Sequence, residues 1–163
     1  DHGLRPRHRL LLEASALLHD IGKFINSRVH HKHSAYIIAN TDLFGLRRQD
    51  MALIAQVARY HRRTVPRTDH VDYMAFPREE RLLINKLAAI LRVANALDRG
   101  HWQQMSDFTV DRQGRDFVLY VKDAGDLILE RHTVTGRSDL FEDIFGMRVR
   151  IDEDTSERAI ARQ

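Results

Sequence analysis

The chain has 163 residues, 43% of them hydrophobic and 30% charged, with a formal net charge of +3 and a positive side made mostly of arginine. Those values describe a soluble globular protein large enough for one domain and a small appendage, and no apolar run approaches the length of a bilayer-spanning segment. With no cysteine, disulfides and thiolate metal sites are excluded, any metal must be held by His, Asp or Glu, and a reducing cytoplasm is the expected location.

Residues 8–21 place Leu11, Leu12, Ser15, Leu18 and then Asp20 or Ile21 at helical spacing, and Gly22 is positioned to end that helix in a left-handed turn. His19-Asp20 therefore falls at the helix end, where an imidazole and a carboxylate interrupt a core face and together suit a divalent metal. Taken alone, such a pair is more often a cap or a hydrogen-bonded core group than a metal ligand. Residues 26–32 are polar and irregular, and a short helix is expected over 34–40, with His33 near its first turn. After a turn at Asp42–Gly45, residues 47–61 bring Ile54, Val57, Ala58 and His61 up at steps of three and four, so His61 continues an apolar stripe. The basic pair Arg62-Arg63 follows, then a loop over 64–77.

Residues 79–99 form the longest periodic segment, with Leu83, Leu87, Ile90, Leu91 and Ala94 as the expected buried face and Asn95 and Asp98 on or beside it. Polar groups in such a stripe either pair with neighbours or help hold an ion. Packed as a bundle, these helices would converge His19, Asp20, His33, His61 and Asp98 on one inward site. Beyond Trp102 the pattern changes. Phe108–Val110 and 115–122 alternate around a turn at 111–114, which predicts a β-hairpin. Residues 126–145 return to helical spacing, with β-branched residues and a glycine at 133–138 that could break it, and 147–151 reads as a third strand.

The blocks LLHDIGKFIN, HHKHSAYIIANTDLFGL, LIAQVARYHRR and KLAAILRVANALDRGH resemble the C-terminal HD region of the exopolyphosphatase / guanosine pentaphosphate phosphatase (Ppx/GppA) family, within the HD superfamily of metal-dependent phosphohydrolases. The stretch DLILERHTVTGRSDLFEDIFGMRVRI resembles the small α/β appendage of many members. The resemblance implies a mainly α fold: an HD-type helical bundle over 1–105 lacking its first helix, a ββαβ lobe over 106–151 and a flexible tail over 152–163. It implies a parent chain whose N-terminal actin-like domains hydrolyse phosphoanhydride bonds of polyphosphate or guanosine pentaphosphate. His19 and Asp20 match the superfamily's central pair, while His33 and His61 resemble its further histidines. Asn95 stands where many relatives have the closing aspartate, which leaves Asp98 as the substitute. The implied cofactor is magnesium or manganese, on His19, Asp20, His33 and Asp98, with His19, Asp20 and His61 catalytic and Lys23, Arg62 and Arg63 steering the polyanionic substrate. The alternative is a non-catalytic polyanion-binding or homodimerisation module with a degenerate site.

Overall fold

The computed structural model describes residues 3–62, 64–98, 108–122 and 127–154, apart from the side chains at 98, 129 and 130. The protein is mainly helical with one three-stranded sheet, and it divides into two compact units, Asp1–Arg92 and Val93–Gln163.

The first unit is built from α1 (Pro6–Leu18), a 3-10 turn (Ile21–Phe24), α2 (His30–Ala39), α3 (Arg48–Arg59), α4 (Val71–Met74) and α5 (Arg78–Asp98) as far as Arg92. Proline at the first position of α1 gives up no hydrogen bond there, because the first amides of a helix have no partner within it. Helix α3 is the centre: Ile54, Val57 and Ala58 are wholly buried, and α1 and α2 both pack against it. The buried face of α5 is Ile84, Leu87, Ala88 and Leu91. Leu83 and Ile90 are only half-buried and Ala94 is exposed, because the apolar arc of this helix is broad and its centre sits one residue further round than the expected stripe.

Three boundaries differ from the expectation. Helix α1 stops at Leu18, and Gly22 lies inside the 3-10 turn without a positive φ, so its small size answers a close approach rather than a left-handed turn. Its N–H donates to Ser34 Oγ at 2.9 Å, and a Cβ at this position would overlap His30 O and Ser34 N. Helix α2 begins at His30 rather than Ser34. The expected loop over 64–77 contains α4, whose Tyr73 is buried and donates to Asn85 Oδ1 at 3.0 Å.

The second unit holds β1 (Phe108–Gln113), β2 (Asp116–Val121), α6 (Ile128–Thr135), α7 (Asp139–Phe145) and β3 (Arg148–Glu153), with strand order β1-β2-β3. β1 and β2 pair antiparallel from Phe108↔Val121 to Gln113↔Asp116, around Gly114 at φ +60°. β2 and β3 pair parallel from Asp116↔Arg148 to Val121↔Glu153, which requires the crossover that α6 and α7 supply. As the central strand, β2 is buried on both faces, so Val118, Leu119, Tyr120 and Val121 are all core.

Candidate metal centre

His19 and Asp20 occupy the joint between α1 and the 3-10 turn, so the helix end aims both side chains at the neighbouring helices. His61 follows the last turn of α3, and His30 opens α2. Ligand atoms of His19, Asp20 and His61 lie within 4.8 Å of one another. His30 joins them: its Nε2 is 3.0 Å from Asp20 Oδ1 and 3.2 Å from His61 Nε2. His19 Nε2 is 3.5 Å from Asp20 Oδ2, and His61 Nε2 is 3.8 Å from Oδ1.

All three rings are anchored in the same way. Nδ1 of His19 pairs with Ala16 O at 2.7 Å, Nδ1 of His30 with Ser27 O at 2.8 Å and Nδ1 of His61 with Ala58 O at 2.5 Å. A carbonyl accepts only, so each Nδ1 carries the hydrogen, and a neutral ring then offers Nε2 as a bare lone pair. Backbone carbonyls behind Nδ1 are the usual support of metal-ligating histidines. Two such lone pairs face each other across 3.2 Å beside a carboxylate oxygen, an arrangement that repels itself unless a cation or a proton sits between. The donor set therefore fits a divalent ion: His19, Asp20, His30 and His61 would hold it.

Electrostatics agree with that fit. His61 is almost fully buried, and burial, with lesser contributions from His19 and His30, pushes its imidazole down to about 3, against the opposing pull of Ala58 O and Asp20. Burial raises the Asp20 carboxyl, but the Lys23 hydrogen bond and the neighbouring His19, Lys23 and His61 outweigh it and hold the group below the usual carboxylate range. Lys23 Nζ pairs with Asp20 Oδ2, so its ammonium is engaged with the cluster itself.

Beside the cluster the wall is basic. Arg62 Nε and His31 Nδ1 are buried without a hydrogen-bond partner. Burial, then Arg59, His30, Arg62 and Lys32, hold His31 below its ordinary value, which records the local positive potential. Among the described residues none of Lys32, Arg59 and Arg62 is ion-paired. The backbone after His61 is fixed by the buried Arg92, whose Nη1 donates to Arg62 O and, at 3.3 Å, to Thr64 O.

Of the residues singled out from sequence, His19, Asp20, His61 and Lys23 come together here, with Arg62 next to them in the chain. His33 is half-buried three residues beyond His30 on α2, with its Cβ beside Gly22, and the ring that meets Asp20 and His61 is His30's. Arg63 and the Asp98 side chain lie outside the described residues. His30 escapes a reading that starts the helix at Ser34. Extended one turn upstream, His30, Ser34 and Ile38 fall at steps of four on one buried face.

Residues 2–137 match the family described as Ppx/GppA phosphatase, domain III. Similar curated proteins are named guanosine-5'-triphosphate,3'-diphosphate pyrophosphatase. The one from Pseudoalteromonas translucida is 46% identical over 52 residues, covering 32% of this chain and 10% of the relative. Those from Vibrio parahaemolyticus and Photobacterium profundum are 35% and 33% identical over 89 and 90 residues, covering 53% and 55% of this chain. The matched stretch spans less than a fifth of each relative's length, at 18% and 16% for the latter two.

Proposed function

Because the chain belongs to the Ppx/GppA phosphatase family, we propose that it supports metal-dependent hydrolysis of phosphoanhydride bonds in polyphosphate or guanosine polyphosphate substrates, with its own divalent-ion site at His19, Asp20, His30 and His61. The convergence of three Nδ1-anchored imidazoles on one carboxylate carries this reading. Magnesium or manganese bound there would lower the pKa of a coordinated water and offset charge on a phosphoryl oxygen. The protein's own part is to orient. The backbone carbonyls fix the rings, Arg92 fixes the chain behind His61, and Lys23 keeps Asp20 ionised until an ion takes its place. Lys32, Arg59 and Arg62 beside the cluster give it a positive potential that suits a phosphate. In a longer parent chain the actin-like domains would share the substrate, in the cytoplasm.

The test is manganese binding by calorimetry together with phosphate release from polyphosphate and guanosine pentaphosphate. His19→Ala and Asp20→Ala should abolish both. Binding of manganese that is indifferent to these substitutions would overturn the metal site, and release that persists in them would overturn its role in turnover.

A second reading, an assembly module, is favoured by one observation: Leu17, Phe24 and Ile25 flank the cluster and are exposed, Phe24 to 95%. Exposed large apolar side chains at these positions suit a contact surface. A concentration-dependent dimer, lost on Phe24→Glu and unaffected by metal, is the outcome that separates this reading from the first.

A further inference from the structure

We propose that the open edge of the second unit's sheet is a site where two copies of this chain join, β3 against β3, antiparallel and centred on Ile151. The pairing depends neither on the phosphohydrolase reading nor on the surface around Phe24.

β3 is an end strand with β2 on one side, so half of its backbone groups look outward. The ladder fixes which half. Arg148 N–H donates to Arg115 O and Asp154 N–H to Val121 O, both at 2.8 Å. The two-residue period of a strand therefore turns the backbone groups of 148, 150, 152 and 154 toward β2, and those of Val149, Ile151 and Glu153 outward. Ile151 O agrees with that direction, since it accepts from Arg131 Nε on α6 at 3.0 Å. The Arg131 guanidinium is half-exposed and lies 3.4 Å from Asp152 Oδ1, so it can leave Ile151 O and keep a carboxylate. Beside the strand there is room. Cavities of about 460 and 530 Å³ share Thr135, Val149 and Arg150 and so follow one another along β3, next to α6 and α7.

Charge on an edge strand usually repels any second strand. On β3 the charge changes sign along the strand, with Arg148 and Arg150 at one end and Asp152, Glu153 and Asp154 at the other. An antiparallel copy reverses that order. Centred on Ile151, it sets Arg150 opposite Asp152 and Arg148 opposite Asp154 on each side of the axis. These are the non-hydrogen-bonded positions, where opposed side chains come closest. Ile151 meets its own counterpart and Val149 meets Glu153, and these pairs exchange backbone N–H and C=O bonds. The other registers set like charges together: centring on Arg148, Arg150, Asp152 or Glu153 puts that residue against itself, and centring on Val149 puts Arg148 against Arg150. The strand thus selects one partner, a second copy of itself, in one register.

The test is sedimentation of the whole chain from micromolar to millimolar concentration, with amide hydrogen exchange at Val149 and Ile151 followed in the same samples. The expected result is a dimer that Phe24→Glu leaves intact, with protection of both amides that rises with concentration. Arg150→Glu and Asp152→Arg should each weaken it by about tenfold or more, because each change turns two attractive cross-strand pairs into repulsive ones. Mixed in equal amounts, the two variants should pair with each other at close to the original affinity. In that mixture the new acid of one chain faces the new arginine of the other, and the untouched Asp152 faces the untouched Arg150. Restored pairing also shows that both variants are folded, and a thermal melt checks each one alone. A monomer at every concentration, a dimer indifferent to Arg150→Glu, or folded variants that fail to pair in the mixture overturns the proposal. Protection of Val149 and Ile151 that is independent of concentration overturns it too, since another segment of the same chain would then hold the edge.

Discussion

The two units bury different things. In the first, Ser15, His30, Ser34, Asp50, Gln56, His61 and Arg92 lie in the interior, whereas among the described residues the second buries one polar side chain, Ser138. Burying a polar group costs about 1–3 kcal/mol unless a partner is supplied, so a core rich in such groups is held to its geometry by hydrogen bonds as well as packing. The second unit is an ordinary apolar layer of Leu119, Val121, Val149 and Ile151 against Val134 and Phe141, its charges outside in pairs such as Asp116 with Arg148 and Arg150. The difference teaches where to look for chemistry: the first unit is the one that keeps imidazoles inside, and the proposed site lies there.

The sharpest test of that contrast is Gly22→Ala. A methyl group there meets the backbone of His30 and Ser34, neither of which can withdraw without moving α2, so a loss of roughly 3 kcal/mol or more in denaturant unfolding is expected together with loss of manganese binding. The counterpart in the second unit is Ile151→Ala, expected to cost about 2–4 kcal/mol through the cavity it leaves while manganese affinity stays unchanged. If Ile151→Ala also removed metal binding, the division of labour would be wrong.

A pH titration of stability separates the units next. His61 has a folded pKa of about 3 against an ordinary 6.5, so the unfolded chain binds the extra proton as pH falls. The contribution is fully present above about 6.5 and is lost downward through that window, with a slope approaching 1.4 kcal/mol per pH unit, until about 3. Unfolding free energy measured in EDTA from pH 7 to 4 should show this slope, and His61→Leu should flatten it. The smallest effect is Lys23→Met: removing the ammonium that competes for Asp20 should tighten manganese binding about threefold to tenfold by calorimetry, while a weaker affinity would count against Asp20 as a ligand.

Much of the first unit was legible in the residues because its helices carry apolar positions at regular steps, and His61 falls on the stripe that α3 buries. The hairpin was legible too, since alternation flanks Gly114, and the split of the α6–α7 segment followed from Gly136 and its β-branched neighbours. What could not be read were facts of contact. His30 hides in a polar run whose first helical turn lies against Gly22, with Gly22 N–H donating to Ser34 Oγ, and is not marked by its own periodicity. Lys23 looks like a free cation until the 3-10 turn folds it back onto Asp20. The orphaned Oε1 of Gln56 and Nε of Arg62 exist only once the neighbours that fail to reach them are in place.

The carbonyl behind each imidazole bears on the speed of capture. Ala16, Ser27 and Ala58 sit three residues before the rings they hold, so each anchor belongs to the same short segment as its ligand and is set when that segment folds. An ion arriving at the proposed site would meet rings whose rotation is already arrested. Loading would be timed by the ion's release of its own water and by the swing of one lysine away from Asp20, a local gate of nanoseconds rather than a rearrangement of the bundle.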